Sequence, residues 1–346
     1  MTAISTKIHT ACCALICAIL TLGFMACHSI EEEDNTIMGN FDALWNILDR
    51  HYCFFDRKGV DWDEVYRRYR PQAKACRTAQ QLFDVCARML DELRDGHVNL
   101  SASFNTSYYR KWWSDYPQNY DERLVLEHYL NFDYRQAGAL TYAMLPQRIG
   151  YVSYRSFSST IGEGNLDAVL SYFEIAQGLI IDVRDNGGGN MTNVETLVRR
   201  FITGRTLAGY TVHKTGPGHG DFAEPYAYYY EAADAGRVRW LKPVVVLCNR
   251  STFSAANNFV SVMRLLPTVT IVGATTGGGS GMPMSSELPC GWSIRFSACS
   301  FLDAQGNSTE AGVNPSQGCA VDLDPAQAAM GHDSMLDKAI AVIQSK

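Results

Sequence analysis

Two turns in this chain combine residue types that could do chemistry. NRSTFSAANNFV (249–260) follows the apolar run PVVVLC, and DNGGGN (185–190) follows the apolar run GLIIDV. Read as a buried strand running into a helix, the first turn places Ser254 at a helix start. There its hydroxyl is exposed and free backbone N–H groups could face a developing oxyanion. A simpler use exists, since serine is a common N-cap and Ser251 or Ser254 could only cap the helix. The three glycines Gly187, Gly188 and Gly189 permit positive φ and close approach of backbone to a ligand, or simply a tight turn.

A nucleophilic serine needs a base. After His28 the chain offers His51, His97, His128, His213, His219 and His332. His97 lies in LRDGHVNL (93–100), where Asp-Gly breaks the preceding helix and a strand-like VNL follows. His219 lies in the glycine-rich GPGHGDF (216–222). Spacing alone does not choose between these two.

These residues must be held by ordered elements. FDALWNILDRHYCFF and VYRRYRPQAKACRTAQQLFDVCARMLDELR carry apolar residues at helical spacing, giving an N-terminal helical subdomain over 38–97. Residues 98–146, rich in Tyr and Trp, read as short strands and loops. From 147 onward RIGYVSYRSF, GLIIDVRD, PVVVLCN and VTIVGAT read as strands. They alternate with the helices LDAVLSYFEIAQ, NVETLVRRFI and SAANNFVSVMRLL. The fold class is α/β with mixed α+β character: a helical subdomain, then a parallel or mixed sheet with helices on its faces over 147–346. Active sites of such sheets form at the carboxyl ends of the strands, where both turns lie.

Five segments, LRDGHVNL, GLIIDVRDNGGGN, RSTFSAANNF, TIVGATTGGGSG and TEAGVNP, occur in this order. Together they resemble the C-terminal-processing and tricorn-like serine peptidase family, over most of 38–345. The resemblance implies a crotonase-like peptidase core and an acyl-enzyme mechanism. Ser254 would be the nucleophile, with Ala255 N–H and Gly188 N–H, or next Gly187 N–H, as the oxyanion hole. In one branch of the family the base is a lysine, whose position here falls on Gly279, and no lysine occurs between Lys242 and Lys338. The tricorn-like branch uses a histidine and a downstream glutamate, which map to His97 and Glu310. Gly96 stands where that branch has a serine linking the two. Residues 98–146 are too few for the PDZ domain that many members carry. The implied partner is a peptide or protein substrate, with no metal and no cofactor. Two rival readings are an inactive peptide-binding protein on this scaffold and an esterase, for which Trp112, Trp113 and Tyr116 could line a site.

The remaining features concern location. Of 346 residues, 47% are apolar and 19% charged, and the net charge is -6. No basic cluster follows the N-terminus, which argues against a nucleic-acid partner. Lys7, the short apolar stretch 11–26 and the pair Ala26-Cys27 resemble a bacterial lipoprotein signal, with Cys27 as lipidation site and 28–37 as tether. The acidic run after Cys27 resembles a surface-export signal. The expectation is a protein held to the outer membrane by lipid, on its periplasmic or outer face. Cys53, Cys76, Cys86, Cys248, Cys290, Cys299 and Cys319 remain in the mature chain; they show no zinc-site spacing.

Overall fold

The computed structural model describes residues 34–111, 114 and 116–346. The signal segment with Cys27, and Trp112 and Trp113, lie outside the described residues. Twelve strands are present among those described. They are β1 (Asn99–Ala102), β2 (Asn105–Thr106), β3 (Arg135–Ala137), β4 (Leu140–Leu145), β5 (Ile149–Tyr154), β6 (Gly178–Asp182), β7 (Thr206–His213), β8 (Tyr226–Tyr230), β9 (Val244–Cys248), β10 (Val269–Gly273), β11 (Gly281–Glu287) and β12 (Ser293–Leu302). They form two sheets.

The first sheet has the order β10-β9-β6-β5-β4-β3. β10, β9, β6 and β5 run parallel, and β4 and β3 are antiparallel. Both of its faces are covered, which is why GLIID and VVVLC read as unbroken apolar runs. Val244 and Val246 pack on one face with Leu166, Val194, Leu197 and Phe259 from three helices. Val245 and Leu247 pack on the other with Met335, Leu336 and Ile343 of the C-terminal helix. Burying each such side chain contributes about 1.5–3 kcal/mol. The sheet begins at β3, inside the segment 98–146 that reads from sequence as short strands and loops.

The second sheet is antiparallel, β2-β1-β12-β7-β8, with β11 also on β12. Sequence reading found only the first. β11 (GMPMSSE) explains part of the omission: it is polar, carries Pro283 at a register shift and alternates weakly. The helical subdomain packs on this sheet, with Leu44, Phe83 and Met89 against Trp292, Ile294 and Phe296. Its helices start where sequence chemistry allows: Thr36, Asp61 and Thr78 each accept a backbone N–H of the first turn. The helix Trp62–Ala75 runs through Pro71.

All seven described cysteines are free, and six of them are buried.

Candidate active site

β6 and β9 are neighbours in register, Ile181 opposite Val246 and Asp182 opposite Leu247. The loops that leave their carboxyl ends therefore emerge side by side. This puts DNGGG against the start of the helix Ala255–Met263. At Gly188 (φ +94°) an added Cβ would stand 2.7 Å from Ser254 Cβ and 2.8 Å from Ala255 N. Only glycine permits that approach.

The β6 loop is anchored from beneath. Arg184 is fully buried, with Nη2 at 2.6 Å from Asp182 and Nη1 at 2.7 Å from Asp333 before the C-terminal helix. Asn186 accepts Phe253 N–H at 3.0 Å through its carbonyl oxygen and donates Nδ2–H to Tyr154 O at 2.7 Å.

Ser254 occupies the position before the helix with φ 59° and ψ -122°, and its side chain caps nothing. A non-glycine residue held there stores about 1–3 kcal/mol of backbone strain. The capping use of Ser254 is thus not what the structure shows. Its Oγ lies 2.9 Å from His97 Nε2. Ala255 N–H has no acceptor among the described residues.

His97 arrives from the other half of the molecule. The helix Ala79–Asp91 ends, Arg94 turns the chain at φ 49°, and β1 follows. β1 pairs with β12, Asn99 opposite Arg295, which pins the turn. Asp95, 1% exposed, accepts His97 backbone N–H at 2.8 Å, Tyr52 O–H at 3.1 Å and Ser297 O–H at 2.8 Å. The imidazole packs on Phe253 with ring centres 4.7 Å apart. Burial pushes the His97 pKa down to about 4; Arg295 and Lys58 push the same way, and Asp95 opposes them. His97 Nδ1 is buried without a hydrogen-bond partner.

The sequence-derived site residues separate here. His97 meets Ser254. His219 does not: its Nε2 is 2.8 Å from Asp49 and its ring stacks on Phe55 at 4.3 Å, in the helical subdomain. Glu310 lines the same cavity as Gly96 but makes no hydrogen bond to His97. Both of its oxygens are occupied, Oε1 by Lys58 Nζ at 2.7 Å and Oε2 by Ser280 N–H at 2.7 Å. Burial and Asp95 raise its pKa, against Lys58 and Ser280. Gly96 offers no hydroxyl to span the gap.

The oxyanion-hole expectation also shifts. Gly188 N–H is donated to Asn186 Oδ1 at 3.0 Å, so in this arrangement it is not open to a ligand. Gly187 is exposed, with open space beside it. Gly189 instead joins Ser254 and Ala255 around a cavity. Gly279, the lysine position of the other branch, has φ +75°, and a Cβ there would meet the Phe253 ring at 2.3 Å. No side chain fits that place. Tyr116 bonds Asp322 at 3.1 Å rather than lining the site.

Sequence reasoning missed Lys58, Asn186 and Asp95. Asp95 stands two residues before His97 in LRDGH, where Asp-Gly reads as a helix breaker. Nothing local to Lys58 signals a partner 252 residues away.

Two cavities lie near the Ser254 turn, one lined by Ser254 itself and the other by its neighbour Phe253, with Gly279 in the wall of both. One, about 110 Å³, is mainly apolar, with Met191, Ala255, Met282, Pro283 and Phe301 in its wall. The other, about 350 Å³, is polar and includes Lys58, Arg94, Gly96 and Glu310.

Comparison with known proteins points to one family. Residues 148–317 match peptidase family S41, and residues 34–91 match the tricorn protease C1 domain. A candidate peptidase from Parabacteroides merdae ATCC 43184, of known crystal structure, is 47% identical. The superposition covers 90% of this chain and 97% of that one, with a TM-score of 0.85. Mature CPAF, 11% identical, shares the fold with a TM-score of 0.68 over 90% of this chain and 98% of its own. The carboxy-terminal processing protease CtpA of Bacillus subtilis (strain 168) is 28% identical over 165 residues. That match takes in 47% of this chain and 33% of CtpA, so the chain spans about a third of the length of the curated relative it matches. A serine at a strained helix start, a histidine on its hydroxyl and these matches lead to one assignment: the chain belongs to peptidase family S41, the C-terminal-processing and tricorn-like serine peptidases.

Proposed function

We propose that this protein hydrolyses peptide bonds through an acyl-enzyme on Ser254, with His97 as base and Glu310 in support from across the polar cavity. The observation that carries the reading is the 2.9 Å contact of His97 Nε2 with Ser254 Oγ at a helix start whose first N–H is open. Ser254 Oγ attacks the carbonyl carbon as its proton passes to His97 Nε2. Ala255 N–H stabilises the oxyanion, joined by Gly188 N–H once it releases Asn186. The C–N bond breaks as His97 returns the proton to the leaving amine. Water, deprotonated by His97, then attacks the ester carbonyl and frees Ser254 and the product acid. The low pKa of His97 keeps it neutral, and so able to accept a proton, from mildly acidic pH upward.

Labelling with a fluorophosphonate probe tests this. Wild type should label, and Ser254→Ala and His97→Ala should not. Folded wild type that fails to label would sink the reading.

We also propose that the protein is exported and held by lipid on Cys27, on the strength of the apolar stretch 11–26 and Ala26-Cys27. Multiple acylation would anchor it stably. Cys27→Ala should remove the lipid mass from the mature protein and release it from membranes. Unchanged membrane association would refute the anchor.

A further inference from the structure

In the proposed mechanism Glu310 supports His97, yet no hydrogen bond joins the two. His97 Nδ1 has no partner, so the turn beneath the ring and the Phe253 ring beside it must place the imidazole. The Glu310 carboxylate is held elsewhere. Its Oε1 takes the Lys58 ammonium at 2.7 Å, and its Oε2 takes Ser280 N–H at 2.7 Å and Ser280 O–H at 3.3 Å.

Both arms run on to the reacting groups. Lys58 Nζ also donates to Arg94 O at 3.0 Å, and the Arg94 guanidinium donates back to Lys58 O. Arg94 opens the turn that carries His97. It stands at φ 49°, which a non-glycine residue keeps only where its surroundings hold it. On the other arm, in the loop of Ser280, Gly278 O accepts Ser254 N–H at 2.9 Å and Gly279 N–H is donated to Glu310 O at 3.4 Å. Hydrogen bonds thus connect the turn of the base, through Lys58 and Glu310, to the turn of the nucleophile. Gly96 has no side chain with which to make a shorter link. The pair is also shielded, its side chains 14% and 8% exposed, so separating it would strand a charge away from water.

We infer, on the peptidase reading above, that Lys58 is a positioning residue of the catalytic site: paired with Glu310, it braces the His97 turn against the Ser254 turn. Glu310 acts on the base through this brace rather than by touching the imidazole.

The brace also sets the charges around His97. Asp95 faces it from its own turn, Arg295 from β12 and Lys58 from the helix Phe55–Lys58, with Glu310 behind Lys58. Arg94, Lys111 and Arg250 line the cavity beyond. Arg295 and Lys58 oppose a proton on His97, and Asp95 favours one. Removing Lys58 takes away an opposing cation and leaves the Glu310 charge unmatched, so a proton on His97 becomes easier to hold.

The rate of fluorophosphonate labelling against pH, measured on the full-length protein, tests the brace. Lys58→Met should slow labelling at neutral pH about ten- to a hundredfold, as misplacing a reacting group does. Its acid limb should move to higher pH. Lys58→Arg keeps a cation that can donate to both acceptors and should stay close to wild type. If Glu310 served His97 by direct contact, Lys58→Met would release it, and labelling would hold or quicken. Support requires the slowing, the raised acid limb and the arginine rescue together; the absence of any one overturns the brace and leaves the peptidase reading intact. If Lys58→Met does not fold, Lys58→Gln takes its place with the same expected signs. Wild type that fails to label removes the peptidase reading instead. The brace is then read from an NMR titration of the His97 imidazole, assigned with His97→Gln. A midpoint raised in Lys58→Met supports it, and an unmoved midpoint overturns it.

Discussion

The nucleophile and the base sit on two differently built halves. Ser254, Ala255 and Gly188 are carried by two adjacent parallel strands, and backbone geometry places them: an unusual φ, a glycine with no room for Cβ, a helix start. His97 is carried by a turn between a helix and an antiparallel strand. Side chains distant in sequence hold that turn: Tyr52 and Ser297 on Asp95, and Lys58 behind, clasping Glu310. One half is specified by what a residue lacks or how its backbone bends. The other depends on pairings between elements far apart in the chain. The first should therefore fail sharply when a single atom is removed, and the second by degrees.

The largest expected effect is on the nucleophile half. Ser254→Ala should lower kcat by about 10⁴-fold or more with the circular dichroism spectrum unchanged; retained turnover would mean another nucleophile. Next comes its foundation. Arg184→Met would leave Asp182 and Asp333 buried without their cation and should cost about 3–5 kcal/mol in urea unfolding. A loss under 1 kcal/mol would show that the β6 loop does not depend on this anchor. Ala255→Pro is smaller, and its ring also presses on Gly188, which stands against Ala255 N. Proline is tolerated at the first position of a helix but has no N–H to offer. It should lower kcat about a hundredfold with little change in KM. An unaltered kcat would leave Gly188 N–H as the principal oxyanion donor.

The same contrast explains what could be read from the sequence. Parallel buried strands leave continuous apolar runs, and helix starts leave polar punctuation, so the first sheet, Ser254 and the glycine turn were legible. The second sheet was not, since β11 and β12 mix small polar residues with apolar ones and exist by pairing with each other. Spacing does not separate His97 from His219 and only the resemblance favours His97; in the structure His219 is engaged by Asp49. The role read for Glu310 fell between the halves. Its position was legible, yet its oxygens are bound to Lys58 and Ser280, a fact no local pattern carries. Gly188 lies beside Ser254, but the Asn186 side chain on its N–H depends on a rotamer that no spacing encodes.

The smallest predicted effect probes the base half directly. Asp95 is the charge that opposes the depression of His97, and it also orients the turn through His97 N–H. Asp95→Asn removes the charge and keeps an oxygen for that N–H. The His97 pKa should then fall further below about 4. A histidine whose folded pKa lies below its unfolded value of 6.5 binds fewer protons when folded. Its stability is full above pH 6.5 and is lost as pH falls through the window down to about 4. In Asp95→Asn that window extends to lower pH, and the acid limb of kcat/KM moves down with it, while kcat at neutral pH drops only modestly. A purely structural Asp95 would lower activity equally at every pH and leave the acid limb in place. An acid limb displaced upward would mean that a different carboxylate, Glu310 foremost, governs the charge on His97. The base half would then be held as tightly by one partner as the nucleophile half is by its backbone.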